Sequence, residues 1–369
     1  HIILMALALM ASMTMTAQQV KWMNPMDGDE PYISGRAWNK EMGRTYDRLP
    51  DRFEKLLPKN VWSLKAHTAG VIVRFVSNSK TIRVRYGCLS NNYNGFNMTG
   101  IDKSGVDLYG KNPDGDIHWI ATHMSWKMQA DTARMEWQNL TYANKGRGAE
   151  FTLYLPNYNG VKWLEVGVDE GSHFQFLHQS PERPIVVYGS SIIQGASPSR
   201  PGMSITNIVE RELEYPVINL GFSGSARMEP AMFDMLSEID ARAYIIDAMP
   251  NSFNLKDTEI IKRAKEGVMK LRAKSQAPIM LCECHPTPDS VMRANVKAKY
   301  DRGNVALRRA YDELRAAGVG NLYYLGKSDI RFGEDYMVEG SHPNDLGCRV
   351  YADAYEKKIR EMLAEDKPN

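Results

Sequence analysis

Ile185-Val186-Val187-Tyr188-Gly189-Ser190-Ser191-Ile192-Ile193-Gln194-Gly195 is the stretch that decides how the second half of the chain is read. Four apolar residues, three of them β-branched, form a buried strand, and a glycine with two serines marks a tight exit from it. The same rhythm of strand, loop and helix continues downstream. Strands are expected at Val217–Leu220, Ala243–Asp247, Ile279–Glu283 and Leu322–Leu325. Helices are expected at Ser204–Glu212, Pro230–Ser237, Asp257–Ala273, Arg293–Ala317 and Asp345–Leu363. Five strands alternating with helices predict a parallel sheet covered on both faces. In such sheets a site forms outside the carboxyl ends of the strands.

Upstream the rhythm differs. From Lys21 to Phe176 the chain carries short runs rich in β-branched and aromatic residues, at Gly70–Phe75, Thr81–Tyr86, Ile117–Ala121, Phe151–Leu155 and Leu164–Val168. Stretches rich in Asn, Gly, Asp and Pro separate them. This predicts an antiparallel sandwich over residues 18–178. Residues 177–184 read as a linker, and the α/β half occupies 184–365. Six of the seven tryptophans (Trp38, Trp62, Trp119, Trp126, Trp137, Trp163) lie in the first half beyond Trp22. They are read as core, with sugar stacking open to one or two.

A length of 369 residues exceeds one ordinary core and suits two domains. Hydrophobic residues make up 43% and charged residues 24%, the profile of a globular chain. Lys plus Arg (46) nearly balance Asp plus Glu (44), and no basic cluster is dense enough for nucleic acid. Residues Ile2 to Met15 form an apolar run too short to span a bilayer, which fits a secretory signal peptide over 1–17 cleaved after Ala17. The chain begins at His1, so the basic start of such a peptide is read as trimmed; a buried helix is the other reading. The protein is therefore expected to be secreted or periplasmic, with no membrane span. Cys88, Cys282, Cys284 and Cys348 are too few and too poorly spaced for a disulfide scaffold or a zinc site, and are read as unpaired thiols. No metal or cofactor is expected.

Four strand-end loops carry the chemistry. Ser191, on the tight exit after the first strand, can project its hydroxyl into the crevice with its own N–H free for an oxyanion. Asn219-Leu220-Gly221-Phe222-Ser223-Gly224 brings glycines that permit close backbone approach to a ligand. Asn251 follows Pro250 at the third strand end and can aim its amide inward. In Glu339-Gly340-Ser341-His342, a carboxylate three residues before a histidine can hold Nδ1, leaving Nε2 to take a proton from a serine. Taken singly, each of the first three loops also reads as an ordinary strand exit or turn, whereas a loop histidine between Ser341 and Pro343 has little core to satisfy.

Together the loops resemble the blocks of SGNH/GDSL hydrolases. Gly189-Ser190-Ser191-Ile192 is similar to their Gly-Asp-Ser-Leu block, Asn219 to Gly224 to the second, Asn251 to the third, and Glu339 to His342 to the Asp-x-x-His block. Gly105-Val106-Asp107-Leu108-Tyr109 resembles the Gly-x-Asp-Leu-Tyr signature of a β-domain that precedes one bacterial esterase subfamily. The resemblance implies a three-layer, flavodoxin-like hydrolase domain. It implies Ser191 as nucleophile, His342 as base, Glu339 as the orienting acid, and an oxyanion hole from the N–H groups of Ser191 and Gly224 with the Asn251 amide. Two departures stand out: Ser190 replaces an aspartate, and Glu339 replaces the shorter aspartate. Arg200, Arg227 and His285 are further candidates for substrate binding.

The function expected is hydrolysis of a carboxylic ester, with acetyl groups on a glycan or a small-molecule ester as substrate. A lipase, thioesterase or acyltransferase using the same residues, and a carbohydrate-binding protein with a degenerate hydrolase domain, remain open. The oligomeric state is not legible.

Overall fold

The structure is a computed structural model that describes residues 19–121, 127–129, 132–142, 146–285 and 287–365. The expected signal segment 1–17 and Trp126 lie outside the described residues.

The first half folds as two antiparallel sheets. Its strands are β1 (Val20–Met23), β2 (Ile72–Ser77), β3 (Ile82–Cys88), β4 (Asp107–Lys111), β5 (Ile117–Trp119), β6 (Lys127–Gln129), β7 (Thr132–Trp137), β8 (Ala149–Tyr154), β9 (Val161–Asp169) and β10 (Phe174–Phe176). One sheet runs β1-β9-β3-β7-β6 and the other β10-β2-β8-β4-β5. In β3 the period of two is visible in the side chains: Ile82, Val84 and Tyr86 point into the core, while Arg83 and Arg85 pair outside with Asp169 and Glu165. Val73, Phe75, Phe151, Leu153, Leu164 and Val166 fill the space between the sheets.

Residues 24–71 depart from the expected β pattern. They run irregularly through short helical turns at Asn39–Met42, Asp51–Phe53 and Lys59–Trp62. Trp38, Leu49, Phe53, Leu57 and Val61 do not join the sandwich; they bury themselves in the core of the α/β half. Their apolar spacing answers to that second surface, which no local pattern announces.

The second half carries β11 (Ile185–Gly189), β12 (Val217–Gly221), β13 (Ala243–Asp247), β14 (Ile279–Cys282) and β15 (Leu322–Leu325). The order is β12-β11-β13-β14-β15, all parallel, which is the flavodoxin-like order. Val186, Tyr188, Ile218 and Leu220 face the helices Pro230–Leu236, Asp257–Lys274 and Ala294–Ala316. Ile185, Val187 and Val217 face the helices Ile205–Leu213 and Asp345–Glu365. Every residue of β11 and β12 is buried, as a sheet covered on both faces requires. The four cysteines are buried free thiols. Among the described residues no helix is long and apolar enough to cross a membrane.

Candidate active site

The β11 strand ends at Gly189, and the next residues turn at once into a short helix, Ser191–Gln194. Ser190 caps that helix: its hydroxyl accepts from the Ile192 N–H at 3.3 Å. Serine caps as well as aspartate does, so the departure at Ser190 keeps the local geometry. Ser191 is then the first helical residue, whose N–H has no acceptor within the helix. The Ser191 hydroxyl lies 2.8 Å from Nε2 of His342.

His342 sits on the turn before the last helix. Asn344 fixes that turn by accepting from the N–H groups of Leu346 and Gly347 and donating to the Asp335 carbonyl. The Nδ1 of His342 is in contact with the Glu339 carboxylate. With Nδ1 donating to Glu339, Nε2 presents its lone pair to Ser191.

Gly224 has a φ of +65° in the loop after β12, a left-handed conformation suited to glycine. Asn251 donates one amide hydrogen to the Ser225 carbonyl, which leaves its second N–H unused. Both line the same cavity as Ser191 and His342, a cleft of about 400 Å³. Among the described residues no cluster of three or more His, Cys, Asp or Glu side chains is gathered as metal ligands.

The other candidates separate. His285 lines the cavity, its ring 4.6 Å from that of Phe332. Arg227 does not; from outside it holds the Gly224 and Asn251 loops together by donating to the carbonyls of Asn251 (3.2 Å) and Gly224 (3.3 Å). Arg200 also lies away from the cavity. It pairs with Asp107 at 3.0 Å, donates to the Tyr109 hydroxyl, and lies 4.0 Å over the Trp119 ring. The Arg200 contacts tie the two halves together, and neither Arg200 nor Arg227, both expected to bind substrate, lines the cavity. Trp119 is likewise engaged, donating to Asp107 at 2.7 Å.

Sequence reasoning missed the contribution of the first half. Asn97 lines the cavity, with its Nδ2 3.2 Å from His342 Nδ1 and 3.4 Å from Glu339 Oε1. The Tyr158 hydroxyl donates to the Ser191 carbonyl at 3.1 Å. Gln194 donates to His67 Nδ1 (3.0 Å) and to the Asn157 carbonyl (3.2 Å), while its Oε1 accepts from the Ser223 N–H at 2.9 Å. Burial pushes the pKa of His67 down to about 4, so the ring is neutral and its Nδ1 serves as acceptor. The Ser191 turn and the glycine loop are thus braced from the β half. A single Asn or His in a β-rich stretch carries no local signal of such a role.

A second cleft, of about 150 Å³, opens between the halves near the start of β12. Several of its charges are paired, Arg74 with Glu150 and Lys111 with Glu214, and Glu210 accepts from the Tyr154 hydroxyl at 2.6 Å.

Comparison with known proteins agrees with the fold. Residues 182–360 match the GDSL-like Lipase/Acylhydrolase family, and residues 20–174 match the GxDLY domain, described as the N-terminus of SGNH-hydrolase-type esterases. A search of curated proteins found no match. Among solved structures, a protein from Bacteroides ovatus ATCC 8483 described as a GDSL-like lipase is 30% identical, with a TM-score of 0.83 over 94% of this chain and 98% of that one. A salicylyl-acyltransferase from a tetracycline biosynthetic pathway shares the fold at 16% identity (TM-score 0.71, 93% of this chain, 97% of that one). So does a family two carbohydrate esterase from Cellvibrio japonicus at 14% identity (TM-score 0.53, 94% and 98%). The chain belongs to the GDSL-like lipase/acylhydrolase family of SGNH hydrolases, in the form that carries an N-terminal GxDLY domain.

Proposed function

We propose that this protein hydrolyses small carboxylic esters, acetyl esters of carbohydrates foremost, with Ser191 as nucleophile and His342 as general base. The observation that carries the reading is the 2.8 Å approach of Ser191 Oγ to His342 Nε2 at the wall of a 400 Å³ cleft. His342 takes the hydroxyl proton as Ser191 Oγ attacks the acyl carbon. The oxyanion is held by the N–H groups of Ser191 and Gly224 and the free N–H of Asn251. His342 then hands the proton to the departing alkoxide, leaving an acyl-serine. Water, deprotonated by His342, repeats the attack and releases the acid with Ser191 restored. Glu339 holds the imidazole in the tautomer this needs; a glutamate serves in that role as well as an aspartate.

The cleft suits a short acyl group, and Tyr300, Phe332 and Tyr351 give it an apolar wall. The carbohydrate part of the reading rests on family and on export. The apolar run 2–15 marks the protein as secreted or periplasmic, where acylated glycans are met. In this reading residues 18–178 and 184–365 are two domains that share one site.

A second reading, an esterase or acyltransferase for longer acyl groups, draws on a shallow groove of about 530 Å³ bordered by Phe96, Val338 and Leu346, which shares Phe96, Asn97 and Met98 with the cleft. Nitrophenyl esters of increasing chain length separate the two. Rates that collapse beyond propionyl support the first, and rates that rise with length support the second. Ser191→Ala should abolish turnover; activity surviving that change would refute both.

A further inference from the structure

The longer acid of this chain has a consequence for the β half. Glu339 carries one more methylene than the aspartate of the family pattern, and its side chain is about one-third exposed (32%). A carboxylate so placed has a further torsion to lose and water competing for its oxygens. Beside it stands Asn97, from the loop between β3 and β4 of the other half, only 9% exposed. Its Nδ2 lies 3.4 Å from Glu339 Oε1 and 3.2 Å from His342 Nδ1.

The Glu339 carboxylate favours one orientation of the amide. With its oxygen turned to the pair, it would face an ionised carboxylate oxygen at that distance, acceptor against acceptor. With its nitrogen there, one N–H donates to Glu339 while the imidazole N–H donates to the same carboxylate. Nδ1 is then already protonated and cannot accept from Asn97, so the 3.2 Å approach is a contact. Were Glu339 absent, the same N–H would find Nδ1 as its nearest acceptor. The ring would then carry its proton on Nε2, facing the Ser191 hydroxyl, the tautomer that cannot take a proton.

We infer that Asn97 is a positioning residue through which the β half completes the Ser191–His342–Glu339 system: it pins the long Glu339 carboxylate against His342. The inference rests on the proposed function, and it is specific to this chain's Asn97–Glu339 pair.

The test is a double-mutant cycle on the full chain, with nitrophenyl acetate as substrate. Asn97→Ala lowers kcat roughly tenfold with KM little changed in the parent background. In the Glu339→Ala background the same change costs nothing or restores some rate, because it removes the donor that traps the wrong tautomer. Asn97→Asp keeps the shape, replaces the donor with a carboxylate and loses at least as much as Asn97→Ala. Circular-dichroism melting checks that each variant folds. Equal losses in both backgrounds, or an Asn97→Asp variant as active as the parent, overturn the inference and leave a packing role. A parent without Ser191-dependent turnover defeats the proposed function itself. In that case the His342 Nδ1 proton resonance decides for Asn97: it is sharpened by Asn97 and broadened in Asn97→Ala if the inference holds, and is unaltered if it fails.

Discussion

Ser190 and Asp247 show how single residues set the site from beneath. Ser190 caps the helix that begins with Ser191, so Ser190→Ala should cost about 1 kcal/mol in urea unfolding, while Ser190→Asp should keep parental stability. Asp247 ends β13, is buried, and accepts from the Tyr355 hydroxyl. Burial raises its pKa from 3.8 to about 7, with the Tyr355 hydrogen bond opposing. The unfolded chain releases that proton near the lower value and the folded chain only near the upper. Between them the native state therefore holds more protons, and stability falls as pH rises through that window. Asp247→Asn removes the dependence. Its stability relative to the parent should be near zero at about pH 4 and grow to at most about 4 kcal/mol by about pH 8, followed by denaturant titration at each pH. A constant difference across pH would show that Asp247 is not the group responsible.

At the scale of elements, the site depends on strand ends that come close enough to touch. Gly189 and Gly221 are register partners at the carboxyl ends of β11 and β12. A Cβ on Gly221 would lie 2.1 Å from the Gln194 N, inside the short helix Ser191–Gln194. Gly221→Ala should therefore destabilise by about 1–3 kcal/mol and reduce turnover beyond what the lower melting temperature explains, since the helix it displaces carries Ser191. The strands Ala243–Asp247 and Leu322–Leu325 were legible to the residue, because continuous apolar runs between turn signals are the local signature of a covered parallel sheet. The stretch 24–71 was not. Trp38, Leu49, Phe53, Leu57 and Val61 serve the core of the other half while Met26, Ile33, Tyr46 and Val71 stay with the sandwich, and a sequence pattern reports spacing without naming the surface it meets. Asn97, Tyr158 and His67 escaped for the same reason: each acts across a contact between residues far apart in the chain.

For the whole molecule, the Gly-x-Asp-Leu-Tyr signature has a physical reading as a clasp between halves. A Cβ on Gly105 would fall 2.6 Å from the Ile101 carbonyl, so the turn into β4 needs glycine. Asp107 then accepts from Trp119 and from the Gly202 N–H (3.1 Å) and pairs with Arg200, while Tyr109 stands edge-on to Tyr154. Gly202 answers in kind: a Cβ there would meet the Tyr109 ring at 2.4 Å. Arg48, fully buried and with its pKa lowered by burial to about 9, adds a second tie by donating to the Asn219 and Gly221 carbonyls. Asp107→Ala leaves Arg200 without its carboxylate and should cost about 3 kcal/mol in thermal or denaturant unfolding. A neutral result would mean that the halves are held by other contacts.

The central claim is that Ser191 is the nucleophile that His342 activates. Treatment with a fluorophosphonate, followed by peptide mapping in a mass spectrometer, tests it most directly: the reagent bonds phosphorus to an activated serine oxygen and expels fluoride. The account predicts a single adduct on Ser191, loss of esterase activity in step with labelling, and no labelling in His342→Ala. Modification of a different serine, or full activity after Ser191 is labelled, would contradict it.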